Sequence, residues 1–164
     1  YAARSRDYRT IFDPSTGFFR ARDASGAFTG SPDPALGTGF HEGTAWQYQW
    51  LVQQDVPGLV AAIGGRAAAL HRLDAFFPHD ELATVVQGGA RRHWVVGPYS
   101  YYNQFRYNPN NEPDLHAPWM YTLLGQAWKT TTVVRAAQAL FTIATSDGRV
   151  PPVLALMKDG RLIW

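Results

Sequence analysis

Between Lys129 and Ala144 the apolar residues Val133, Val134, Ala137, Leu140 and Phe141 recur at spacings of three and four, with no glycine or proline among them. That period lays one apolar stripe along a helix, and the stripe needs a partner surface. Arg66 to Phe77 repeats the pattern with Leu70, Leu73, Phe76 and Phe77. A third helix is expected from Thr44 to Gln54, capped by Thr44 and carrying Trp46, Trp50 and Leu51 on one face. Asp55 caps a short fourth one, with Pro57 in its first turn and Gly64-Gly65 closing it. Glu112 to Leu124 reads as a fifth, with Pro118 as a kink. Alternation of period two is weak and confined to Trp94–Val96 and Val153–Leu156. The glycines and the Ser-Pro-Asp-Pro stretch of residues 11–40 predict turns, and Pro78 to Asn111, with Gly88-Gly89 and Gly97-Pro98, predicts a long ordered loop. The fold class is therefore mainly α, built of helical hairpins with long aromatic-rich loops.

The chain has 164 residues, 46% of them hydrophobic and 17% charged, the range of one ordinary globular domain. Its 15 Lys and Arg are scattered and nearly balanced by 13 Asp and Glu, so no nucleic-acid partner is indicated. Cysteine is absent, which excludes disulfides, thiolate catalysis and cysteine-held zinc. No apolar run reaches the ~18 residues of a membrane span. The first residues carry no apolar h-region and do not read as a signal peptide. Aromatic residues make up 14% of the chain, and many stand beside Gln, Asn, Glu or His. That mixture suits stacking on sugar C–H faces with hydrogen bonds to hydroxyls, and it suits an aromatic core equally well.

Two places carry candidate chemistry. Glu42, in Phe-His-Glu-Gly-Thr-Ala-Trp-Gln-Tyr, lies between a glycine-rich loop and a helix start. Burial against Trp46 would raise its pKa and suit it to donate a proton. The alternative is an acidic residue stabilised by the helix dipole. The second place is Asn110-Asn111-Glu112-Pro113-Asp114-Leu115-His116, where hard oxygen donors crowd into a loop. They suit calcium, or else Asn111 or Asp114 simply caps a helix. His71, His79 and His93 stand alone and read as surface or packing residues.

Several segments in order resemble glycoside hydrolase family 92. They are Tyr8 to Arg22; His41 to Tyr48 followed by Asp55-Val56-Pro57-Gly58-Leu59; Asn111-Glu112-Pro113 with His116, Pro118 and Tyr121; and Gly125-Gln126-Ala127-Trp128-Lys129-Thr130. The resemblance implies an (α/α)6 barrel preceded by a β-sandwich domain. It also implies an inverting exo-α-mannosidase acting on mannose-containing glycans with calcium, in a parent enzyme that is secreted or held at the cell envelope. On that pattern Glu42 is the general acid, and Asn111 and Glu112 belong to the calcium site. Trp46, Gln47, His116, Trp128 and Lys129 belong to the substrate site. A non-catalytic carbohydrate-binding fragment and a helical interaction domain are the alternatives.

After Gly148 the likeness stops. The family continues into a segment that supplies its base carboxylates, whereas residues 149–164 read as a divergent or frameshifted tail after a partial catalytic domain at 1–148. Twelve helices of about 11 residues with connections of about five need roughly 190 residues. The expectation is part of a barrel that lacks its remainder and is inactive alone.

Overall fold

The structure is a computed structural model that describes residues 3–94, 107–109 and 111–142, with only the backbone at 86, 87, 91 and 140–142. Its architecture is mainly α, and it forms part of a helical barrel. The strand expected at 94–96 starts on a helical residue, since Trp94 ends the helix Val86–Trp94, while residues 95–96, the strand expected at 153–156, the tail 149–164 and Asn110 lie outside the described residues.

A 3-10 segment at Arg4–Thr10 leads into a small antiparallel hairpin, β1 (Phe12–Asp13) with β2 (Phe18–Phe19), in register Phe12 to Phe19. This hairpin and an isolated antiparallel bridge between Arg22 and Phe28 interrupt a stretch read as turns. Asp13 makes the tight connection. Its Oδ1 accepts from the Ser15 amide and hydroxyl, and its Oδ2 takes Arg20 Nη1 at 2.6 Å. The Ser15 hydroxyl, followed by the Arg20 guanidinium, holds the Asp13 carboxyl below the ordinary carboxylate value.

Next come α1 (Ala45–Tyr48), a 3-10 turn at Gln53–Asp55, α2 (Val56–Ile63) and α3 (Arg66–Phe76). The helix expected over 44–54 is cut to four residues. Beyond Tyr48 the backbone closes i to i+3 turns, Trp50 to Gln47 and Leu51 to Tyr48. The departure from helix buries both Trp50 and Val52, and burial of that size outweighs local helix propensity. Asp55 caps α2 as expected, with Oδ1 accepting from the Gly58 amide at 3.1 Å. Its Oδ2 takes the Tyr8 hydroxyl at 2.9 Å and Arg9 Nη2 at 2.8 Å. A Cβ at position 58 would stand 2.3 Å from that oxygen and 2.5 Å from both partners, so any larger residue would push these three side chains apart. The Tyr-Arg and Asp-Val-Pro-Gly motifs, far apart in sequence, thus form one clasp.

The largest correction concerns Pro78 to Asn111, where the expected long loop contains two helices, α4 (His79–Thr84) and α5 (Val86–Trp94). Gly88 and Gly89 sit inside α5. Each costs about 1 kcal/mol there relative to Ala. Ala90 and Trp94 are fully buried where α5 packs on α4 and α7, and this offsets the cost. Asp80 and Glu81 in the first turn of α4 favour its N-terminal dipole.

The helix expected over 112–124 is also broken. A 3-10 turn at Glu112–Asp114 is followed by turns and by α6 (Trp119–Leu123). Pro118 lacks an N–H and disfavours helical backbone at Ala117, so the chain takes i to i+3 bonds instead. The last helix, α7 (Ala127–Thr142), matches its expectation closely. Val133 and Ala136 face the core, while Val134 turns to an outer groove with Trp119.

The core is aromatic. Phe77 has its ring 4.8 Å from Tyr107, 5.0 Å from Phe76, 5.6 Å from Tyr121 and 6.4 Å from Trp94. Beside it Lys129 of α7 reaches Asp74 of α3 with Nζ at 2.6 and 2.8 Å from the two carboxylate oxygens, and the Tyr121 hydroxyl donates to Oδ1 at 2.8 Å. Lys129 is buried and Asp74 half-buried. Asp74→Ala should therefore destabilise by about 2–3 kcal/mol, somewhat below the value for a fully buried pair, because it strands a cation. The double variant with Lys129→Met should cost less than the two single costs added, as read from urea midpoints. Additive costs would show that the pair is not coupled.

No helix among the described residues is long and apolar enough to cross a membrane.

Candidate functional site

Helix α1 packs against both β2 and the Glu112–Asp114 turn, and that packing brings two of the chemically interesting segments together. The loop His41-Glu42-Gly43 enters α1 with Glu42 at φ +62°, a left-handed conformation that costs a residue with a Cβ about 1–2 kcal/mol. Asn111 Nδ2 donates to the Glu42 backbone carbonyl at 2.6 Å, across 69 residues of sequence. Gly43 follows, where a Cβ would come 2.7 Å from Gln47 Oε1. That oxygen accepts from the Thr44 amide at 3.0 Å and closes the first turn of α1. The Tyr48 hydroxyl donates to the His41 carbonyl and ties the loop to the far end of the helix.

The Glu42 side chain is 43% exposed, with Oε1 3.2 Å from His41 Nε2. Burial against Trp46 is thus not achieved within the described residues. The Trp46 ring lies instead 4.8 Å from Phe18, half-buried. Gln47 is fully buried, while Glu112 and His116 are exposed on the turn beside Asn111. Helix α1, which carries Trp46 and Gln47, thus packs on the turn that opens with Asn111 and Glu112, and the Asn111–Glu42 hydrogen bond ties the entering loop to that turn.

Trp128 and Lys129 make different contacts. Trp128 is 60% exposed, with its ring edge-on to His79 at 5.2 Å, and Lys129 is held by Asp74. His79 is buried against Tyr121 and Trp128, and burial lowers its pKa, which favours the neutral ring. It is a packing histidine, as the sequence suggests.

Asp114 is the residue whose importance sequence reasoning missed. It is fully buried; its Oδ2 accepts from the Asn108 amide at 2.7 Å, and burial pushes its carboxyl well above the ordinary value. The sequence offered it as one of the oxygen donors of a calcium loop or else as a helix cap, and nothing in a Pro-Asp-Leu run signals complete burial. Tyr48 lies close enough that burial, then the charges of Glu42 and Asp114, raises its own pKa.

The family profile described as Glycosyl hydrolase family 92 catalytic domain matches residues 1–149. The chain belongs to glycoside hydrolase family 92. Among solved structures it is similar to a family 92 alpha-mannosidase from Bacteroides thetaiotaomicron, with 30% identity and a TM-score of 0.62. The likeness covers 87% of this chain and 17% of that one, so the family 92 segment seen here spans about a sixth of the length of that enzyme. No curated protein sequence matches the chain.

Proposed function

We propose that this chain is the acid-bearing segment of an inverting exo-α-mannosidase, with Glu42 as the proton donor to the glycosidic oxygen. The observation that carries the reading is the 2.6 Å hydrogen bond from Asn111 to the Glu42 carbonyl. It joins the two motif blocks that the family pattern assigns to one site. The Glu42 side chain is partly exposed on this segment, and the sugar and the rest of the barrel would close over it. Their closure would provide the desolvation a proton donor near neutral pH needs. Trp46 and His116 flank the sugar, and Gln47 acts through the α1 turn it caps. Trp128 offers an exposed ring of the kind that stacks on a pyranose. Lys129 is assigned to Asp74 instead.

Family 92 membership also points to calcium, which takes six to eight oxygen ligands. Asn111 and Glu112 supply two side chains, and among the described residues no three His, Cys, Asp or Glu side chains converge to hold a metal. The described residues do not fit the ion by themselves. Asn111 Oδ1 and the Glu112 carboxylate would be part of a ligand set completed by the remainder of the barrel.

An inverting reaction needs a second carboxylate to activate water from the opposite face of the sugar. The base is assigned to the remainder of the catalytic domain. Two results are expected. The isolated chain releases no phenol from an aryl α-mannoside. Joined to a complete family 92 catalytic domain, it releases mannose whose first-formed anomer, followed by proton NMR, is β. Turnover by the isolated chain, or α-mannose formed first, would refute the proposal.

A further inference from the structure

We infer that Asn111 is a positioning residue for Glu42: its side-chain amide holds the Glu42 peptide in the left-handed conformation that aims the carboxyl, an inference that rests on reading Glu42 as the proton donor. The hydrogen bond is unambiguous in direction, because a backbone carbonyl only accepts and the amide nitrogen must face it. A left-handed φ at a residue with a Cβ persists only where its surroundings enforce it. Asn111 is buried, and its backbone is itself fixed. The Asn111 amide donates to the Asn108 carbonyl at 3.2 Å, the Asp114 amide to the Asn111 carbonyl at 3.0 Å, and the Asn108 amide to Asp114 Oδ2 at 2.7 Å. These three bonds close a ring around the turn, so the Asn111 side chain projects from a braced frame. On the other side, the Tyr48 hydroxyl holds the His41 carbonyl. Glu42 is thus gripped at its own carbonyl and at the preceding one, while its side chain stays open.

Asparagine is also the residue type the contact demands. Aspartate has the same shape but no N–H, and at this position it would set a carboxylate against the Glu42 carbonyl. Asn111→Asp therefore separates hydrogen bonding from packing.

The test uses the full 164-residue chain, labelled with nitrogen-15 and carbon-13. In the unsubstituted chain, a through-hydrogen-bond scalar coupling should connect the Asn111 side-chain nitrogen with the Glu42 carbonyl carbon. The Glu42 Cα–Hα coupling should fall in the positive-φ class. Asn111→Asp and Asn111→Ala should both lose the first signal and return Glu42 to negative φ. Within a complete family 92 catalytic domain, the same two changes should lower kcat at least tenfold with KM little changed. Retention of positive φ at Glu42 in the Asp variant would overturn the inference, as would a missing coupling in the unsubstituted chain. If both variants fail to fold, the unsubstituted chain still decides the matter. These spectra do not depend on catalysis. They can therefore fail while Glu42→Gln still abolishes hydrolysis, or succeed while Glu42→Gln leaves it intact.

Discussion

Glu42→Gln, introduced into a complete family 92 catalytic domain carrying this segment, should slow hydrolysis of an alkyl α-mannoside by roughly 1,000-fold, within the range for loss of general acid catalysis. The size follows from the leaving group. An alkoxide is too basic to depart without a proton, whereas a dinitrophenolate needs none. On a dinitrophenyl α-mannoside the same variant should therefore lose less than about tenfold. Glutamine retains the shape and the backbone link to Asn111, so this contrast isolates the proton. Equal losses on both substrates would assign Glu42 to binding or structure and remove the proposed acid.

The second large effect is on stability. Phe77→Ala should cost about 4 kcal/mol, within the range for aromatic-to-alanine changes in cores. Phe77 is completely buried, and its ring is bordered by Phe76, Trp94, Tyr107 and Tyr121. These neighbours come from α3, α5, α6 and the segment at 107–109, and α5 and α6 meet α7, so the space left by the ring cannot close without moving several elements. Phe77→Leu should cost about 1–2 kcal/mol, because most of the volume is kept. Urea unfolding measures both. An alanine cost below about 1 kcal/mol would mean that this aromatic cluster does not hold the segment together. Exposed Trp119, Leu123 and Trp128 add to the reasons why such a segment depends on its interior.

Reading helices from sequence worked where one face carries the whole signal. Leu70, Leu73 and Phe76 mark α3, and Val133 with the partly buried Ala137 marks α7, because in each the core-facing side chains recur at the helical period. It failed at α5, where two glycines looked like a break, and at 44–54, where an unbroken run looked like a helix. In both cases long-range burial of a tryptophan, Trp94 or Trp50, overrode the local preference. The candidate site divides in the same way. Glu42 and the Asn111-Glu112 turn were legible as polar residues at element boundaries. The exposure of Glu42, the burial of Asp114 and the capture of Lys129 by Asp74 were not.

The order of the motif blocks and the helical periods are written along the chain, and they suffice to assign a mainly helical family 92 segment. Which residues touch was decided only by tertiary packing. Asn111 meets Glu42 across 69 positions, and Lys129 meets Asp74 across 55. The physical reason is that a hydrogen bond or an ion pair has no periodic trace in sequence. Its strength depends on burial, and burial belongs to the assembled fold rather than to either residue.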